Sequence, residues 1–126
     1  MKEEKPLAYI AGKLNDSACG YIRNLHKMIQ SAIKIKRLGY VVYIPGTDIL
    51  MGLMAGNYVY RDYFDDSQEF LRMSDLVIVL PGWETSEGTN REIKLAHELG
   101  IPVEFYNEHT NQVCQDDPYT EGGSNG

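Results

Sequence analysis

Five apolar residues in an unbroken row, Leu76, Val77, Ile78, Val79 and Leu80, lie between Asp75 and Pro81-Gly82, and they narrow the fold more than any other segment. A β-branched run without polar alternation, bounded by turn residues, suits a strand covered on both faces of a parallel sheet. A polar loop follows. From Thr89 the chain takes up helical spacing that ends at Gly100, and residues 102–106 read as a fourth strand. Strand, loop, helix and strand make one βαβ unit, and ligands of such units gather beyond the C-terminal strand ends. Glu92 sits at that edge, one turn into the expected helix.

The upstream half repeats the pattern. Residues 7–11 read as a buried strand ended by Gly12, and Asn15, Asp16 and Ser17 are all suitable helix caps. Across residues 21–38 the apolar side chains Ile22, Leu25, Met28, Ile29, Ala32, Ile33 and Ile35 recur at helical spacing, with Lys27, Lys34, Lys36 and Arg37 opposite and Gly39 as terminator. Residues 40–44 form a second strand closed by Pro45-Gly46. Residues 47–63 mix apolar side chains with Tyr58, Tyr60 and Tyr63, and three readings stay open: a lid, an oligomer contact or part of the core. Residues 65–74 read as a helix leading into the strand at Asp75. The alternation predicts a doubly wound, Rossmann- or flavodoxin-like parallel sheet of about four to five strands flanked by helices, with right-handed crossovers. Its loops at Gly12-Lys13, Pro45-Gly46 and residues 81–86 converge on one edge. The domain is placed at residues 1–106, and residues 107–126, which hold Glu108, Asp116, Asp117 and Glu121 but no Lys or Arg, read as a disordered acidic tail.

Charge and cysteine content restrict the partners. The net charge of −6 with no basic cluster weighs against nucleic acid, although much of the acidity lies in the tail and a small anionic ligand stays open. Only Cys19 and Cys114 are present, which suits a reducing cytoplasm better than a disulfide scaffold. No apolar stretch approaches the ~18 residues of a membrane span. His26, His97 and His109 show no metal-ligand spacing with each other or with the cysteines, so no metal site is expected, and no other cofactor is implied.

Gly12-Lys13 belongs to no phosphate loop, and no GxGxxG is present. Gly12 either permits a tight turn or lets backbone approach a ligand. Glu92 has two readings as well. Thr89-Asn90-Arg91-Glu92 fits a capping box, in which the glutamate turns back to the backbone of Thr89. Alternatively the helix dipole keeps the carboxylate ionised at a cleft mouth, ready to attack or stabilise an anomeric carbon. Trp83 either stacks on a base or plugs the core. Asn90 and Arg91 contact an anion or are merely solvated, Tyr58, Tyr60 and Tyr63 read as packing, and His97 reads as surface.

The opening AYIAG, the helix ending in LGY and above all SDLVIVLPGWETSEGTNREIKLAHELGIP resemble the nucleoside 2-deoxyribosyltransferase superfamily over roughly residues 7–106, within it a small branch with an LPGW-x-x-S-x-G signature. The resemblance implies an α/β homo-oligomer that cleaves or transfers the N-glycosidic bond of a nucleoside or nucleoside 5′-phosphate through a glutamate. Carried onto this chain, it implies Glu92 as the catalytic carboxylate, Tyr9 near the sugar, Gly12 after the first strand and Ser86 at a phosphate. An aspartate that contacts the sugar hydroxyls in the family falls at Ser67, counting back from Asp75, with Asp66 one position earlier. A one-residue shift turns a helical side chain by about 100°. The expected site therefore joins Glu92, Asp66 and Tyr9 as catalytic groups with Gly12, Lys13, Ser67, Gly82, Trp83, Ser86, Gly88 and Asn90 around the substrate, without metal, nucleic acid or membrane. From other classes, an inactive nucleotide-binding module and a structural protein that associates through residues 49–54 remain alternatives.

Overall fold

The computed structural model of the chain describes residues 4–14, 18–45 and 68–116. Strand β1 (Leu7–Ala11) leads to helix α1 (Ala18–Arg37), whose last turn carries Lys34, Lys36 and Arg37 where the helix dipole favours cations. Gly39, at φ +115°, reverses the chain into β2 (Val41–Tyr43). Residues 68–73 are helical and are termed α2. Strand β3 (Leu76–Val79), a 3-10 turn (Trp83–Thr85), helix α3 (Glu87–Glu98), β4 (Val103–Asn107) and β5 (Gln112–Cys114) complete the order.

Among the described residues the strands form one sheet in the order β2-β1-β3-β4-β5. The first four are parallel and β5 is antiparallel to β4. Connections leave β1 toward β2 and leave β3 toward β4, so the chain parts in opposite directions between β1 and β3. That is the switch point at which open α/β sheets bind ligands. At the base of this pair Asp75 closes the sheet, its Oδ2 accepting from the Leu7 amide at 2.7 Å.

Alternate β1 residues serve opposite faces, as the strand period of two requires. Ala8 and Ile10 join Ile78 of β3, Met28, Ala32 and Ile35 of α1, and Tyr106 of β4 on one face. Tyr9 and Ala11 join Val77 and Val79 of β3, Leu71 of α2 and Ala96 of α3 on the other. All four residues of β3 are buried, in keeping with its uninterrupted apolar sequence. The doubly wound architecture expected from the sequence is thus the observed one.

Three expectations need correction. Residues 107–116 are not part of a tail: Asn107 ends β4 and turns the chain through its Oδ1, which accepts from the amides of His109 (3.0 Å) and Thr110 (3.2 Å). Strand β5 then returns along β4, and Tyr106 Oη donates to Asn111 Oδ1 at 2.7 Å. A strand of three residues offers too few alternations to be seen as a periodicity, whereas the side-chain turn at Asn107 was a legible cue. Second, the site-bearing helix begins at Glu87, before Thr89. Third, the second strand is shorter than residues 40–44. The caps Asn15, Asp16 and Ser17, the segment 47–63 and the end of the tail lie outside the described residues. No described helix is long and apolar enough to cross a membrane.

Candidate active site

Tyr9 lies in the middle of β1, fully buried, with its side chain on the face covered by α2 and α3. Helix α3 crosses that face from β3 to β4. Thr89 and Ala96, 1% and 0% exposed, point at the sheet, and Glu92 stands between them in sequence on the flank toward β1. There Tyr9 Oη donates a hydrogen bond to Glu92 Oε2. A side chain from the first strand and one from the fourth described element of the second half therefore meet at the switch point.

The start of α3 excludes the capping-box reading of Glu92. The cap of α3 is Ser86, whose Oγ accepts from the Thr89 amide at 3.2 Å and from Thr89 Oγ1 at 2.9 Å. Thr89 is inside the helix, so the capping box that would have turned Glu92 back to it does not form. Ser-x-x-Thr with an acidic Glu87 in the first turn was the better start signal. Both acceptor positions of the buried Ser86 hydroxyl are engaged, and only its proton is left for the phosphate contact implied by the resemblance.

The expectation that the helix dipole keeps Glu92 ionised is also corrected. Burial disfavours the charged form and raises the carboxyl pKa to about 7, while the hydrogen bond from Tyr9 pulls it down less strongly. Glu92 is half-buried as a residue, so its surroundings are dry without being sealed. Near neutral pH it is poised between acid and carboxylate, a property that clusters at functional sites.

The glycines divide by role. Gly12 is buried, and a Cβ there would stand 3.2 Å from both Leu80 Cδ1 and Met28 Cε, so close packing explains it. Gly82 adopts φ +88° and turns the chain out of β3. Gly88 lies one helical turn before Glu92 on the same flank, and a Cβ there would meet nothing within 4 Å. A glycine inside a helix without a packing reason leaves room beside the carboxylate. Lys13 is exposed at the exit from β1.

Several expected members fall elsewhere. The Trp83 ring sits 5.9 Å from Phe105 at 45°. Phe105 belongs to β4, and the half-buried indole packs against the core cluster on this face of the sheet. Of the two readings of Trp83, packing on the core is the one with a visible partner. Asn90, expected near an anion, turns its Nδ2 to the carbonyls of Ser86, Trp83 and Glu84 at 2.8, 3.3 and 3.4 Å. Arg91 pairs with Glu87 at 3.6 Å on the solvent side. His97 is exposed, as expected. Asp66 and Ser67 lie outside the described residues. Among the described residues no three His, Cys, Asp or Glu side chains group as a metal site would.

Residues 6–105 match the family described as Domain of unknown function (DUF4406). The sequence matches none of the curated proteins. Solved structures share the fold, two of them as follows. One is a 2-deoxyribosyltransferase from the psychrotolerant bacterium Bacillus psychrosaccharolyticus, described as suited to the industrial synthesis of antiviral and antitumoral nucleosides; it is 18% identical with a TM-score of 0.55, covering 79% of this chain and 71% of that one. The other is a conserved protein from Enterococcus faecalis V583, 22% identical with a TM-score of 0.58, covering 86% of this chain and 68% of that one. The superfamily resemblance visible in the sequence is matched at the level of fold.

Proposed function

The chain belongs to the DUF4406 family, and from the contact between Tyr9 and Glu92 at its switch point we propose that it cleaves or transfers the N-glycosidic bond of a nucleoside or nucleoside 5′-phosphate. Glu92 is the nucleophile. In its ionised form Oε1 attacks the anomeric carbon, the C–N bond breaks, and its electron pair leaves with the base. Tyr9 holds Oε2 and fixes the rotamer, so that one oxygen is presented to the sugar. Water or a second base then attacks the same carbon and returns Glu92 to its carboxylate. The open flank at Gly88 admits the sugar, and the proton of Ser86 and the ammonium of Lys13 lie at the same sheet edge for a hydroxyl or phosphate. The cytoplasmic location and homo-oligomeric assembly expected from the sequence belong to this reading.

The observation that carries it is a perturbed carboxyl held by a buried phenol at the ligand edge, on a helix whose start is capped by Ser86 instead. Its test is a panel of nucleosides and 5′-nucleotides assayed for released base. The wild type is expected to release base from at least one of them, and Glu92→Gln to lower that rate by about a thousandfold or more. No release from any compound would exclude the reading.

A further inference from the structure

Asn90 ends the first turn of α3, is exposed, and nevertheless has its amide surrounded by main chain. Its Nδ2 lies 2.8 Å from Ser86 O, 3.3 Å from Trp83 O and 3.4 Å from Glu84 O. Three carbonyl oxygens around one atom identify that atom as the nitrogen, because an amide oxygen there would face only acceptors. The side chain therefore clasps the Trp83–Thr85 turn to the helix that follows it. The turn is itself anchored, its indole lying on Phe105 of β4.

Asn90 and Glu92 are about 200° apart around the helix axis. One flank of α3 is thus held through Asn90 to the turn and β4, and the other through Glu92 to Tyr9 of β1. A rotation of the helix that lengthens one contact displaces the other. We infer that Asn90 is a positioning residue, which ties the Trp83–Thr85 turn to α3 and so sets the angle at which the helix presents Glu92 to Tyr9. The inference rests on the proposed function only for what Glu92 does, not for the clasp.

Three variants separate this role from a surface one. Asn90→Asp keeps the shape, removes both N–H donors and places a carboxylate against three carbonyls, yet adds the negative charge that a first helical turn favours. A residue that matters only for helix stability would tolerate it. Asn90→Ser retains one donor. Trp83 is the chain's only tryptophan, so its emission reports the turn without any ligand. The clasp requires Asn90→Asp and Asn90→Ala to shift the emission to longer wavelength and to increase its quenching by acrylamide, with Asn90→Ser between them and the wild type. In the base-release assay the same two variants are expected to lose about ten- to a hundredfold in kcat, the scale of a small misplacement of a reacting group, with KM little changed. Wild-type emission in Asn90→Asp would overturn the clasp, and shifted emission with unchanged kcat would overturn the positioning role. A wild type that releases no base, with the emission shift intact, would remove the catalytic reading and the positioning of a catalytic group with it, while leaving the clasp standing.

Discussion

At the scale of the residue, the burial of Glu92 makes stability depend on pH. Its folded pKa of about 7 stands above its ordinary 4.5, so between those values the folded state holds a proton that the unfolded chain has released. Stability then falls as pH rises through this window, by up to about 3 kcal/mol. Glu92→Gln keeps an acceptor for Tyr9 and has nothing to ionise. It is expected to be more stable than the wild type at pH 8 and to match it near pH 4, which denaturant melts at the two pH values would show. An unchanged pH dependence of stability in the variant would contradict the burial argument. Activity should run the opposite way. If the carboxylate is the nucleophile, kcat/KM rises with pH and levels off above about 7, with Glu92 as the titrating group. The Tyr9 hydrogen bond lowers the Glu92 pKa, so Tyr9→Phe is expected to move that midpoint upward as well as to reduce the rate; a downward shift would mean that Tyr9 does not support the ionised form.

Helix α3 carries the site, and its start shows how much of an element a sequence reveals. The helix, its C-terminal glycine and the exposed role of His97 were all legible from spacing alone. Its first residue was misread because Thr89-x-x-Glu92 and Ser86 both offer cap signals three residues apart. Only the burial of Thr89 under the helix, a tertiary event, selects Ser86. Ser86→Ala is expected to cost about 1 kcal/mol in thermal or chemical unfolding, the usual loss for a cap. Gly88→Ala should do the reverse. Its added Cβ meets open space and relieves a helical glycine, for a gain of about 0.5–1 kcal/mol. If the free flank at Gly88 admits the sugar, that stabler variant binds substrate more weakly, seen as a raised KM. A gain in stability with unaltered KM would assign Gly88 no part in access.

The whole molecule places these parts by topology. Tyr9 and Glu92 are far apart in the chain, and nothing local in either segment states that they touch. The doubly wound order could be inferred from alternating strand and helix patterns, and it implied convergence at one sheet edge, but not which side chains meet there. Trp83 illustrates the difference, since its loop position left both base stacking and core packing open, and only the fold shows that its ring meets Phe105 on β4. Strand β5 was invisible for a different reason: its three residues are held by the turn at Asn107 and by Tyr106 rather than by a pattern of their own. Ending the chain at residue 106 would remove Val113 from the core and the partner of the Tyr106 hydroxyl. Such a truncation is expected to lose about 2–4 kcal/mol in unfolding experiments, and a full-length-like stability would make β5 dispensable. The central claim, that Glu92 attacks the sugar, is tested most directly by mass spectrometry of the protein quenched in acid during turnover. The account requires a mass increase equal to the sugar, confined to the peptide that contains Glu92 and absent from Glu92→Gln. Turnover with the sugar attached to another residue, or base release undiminished in Glu92→Gln, would contradict it.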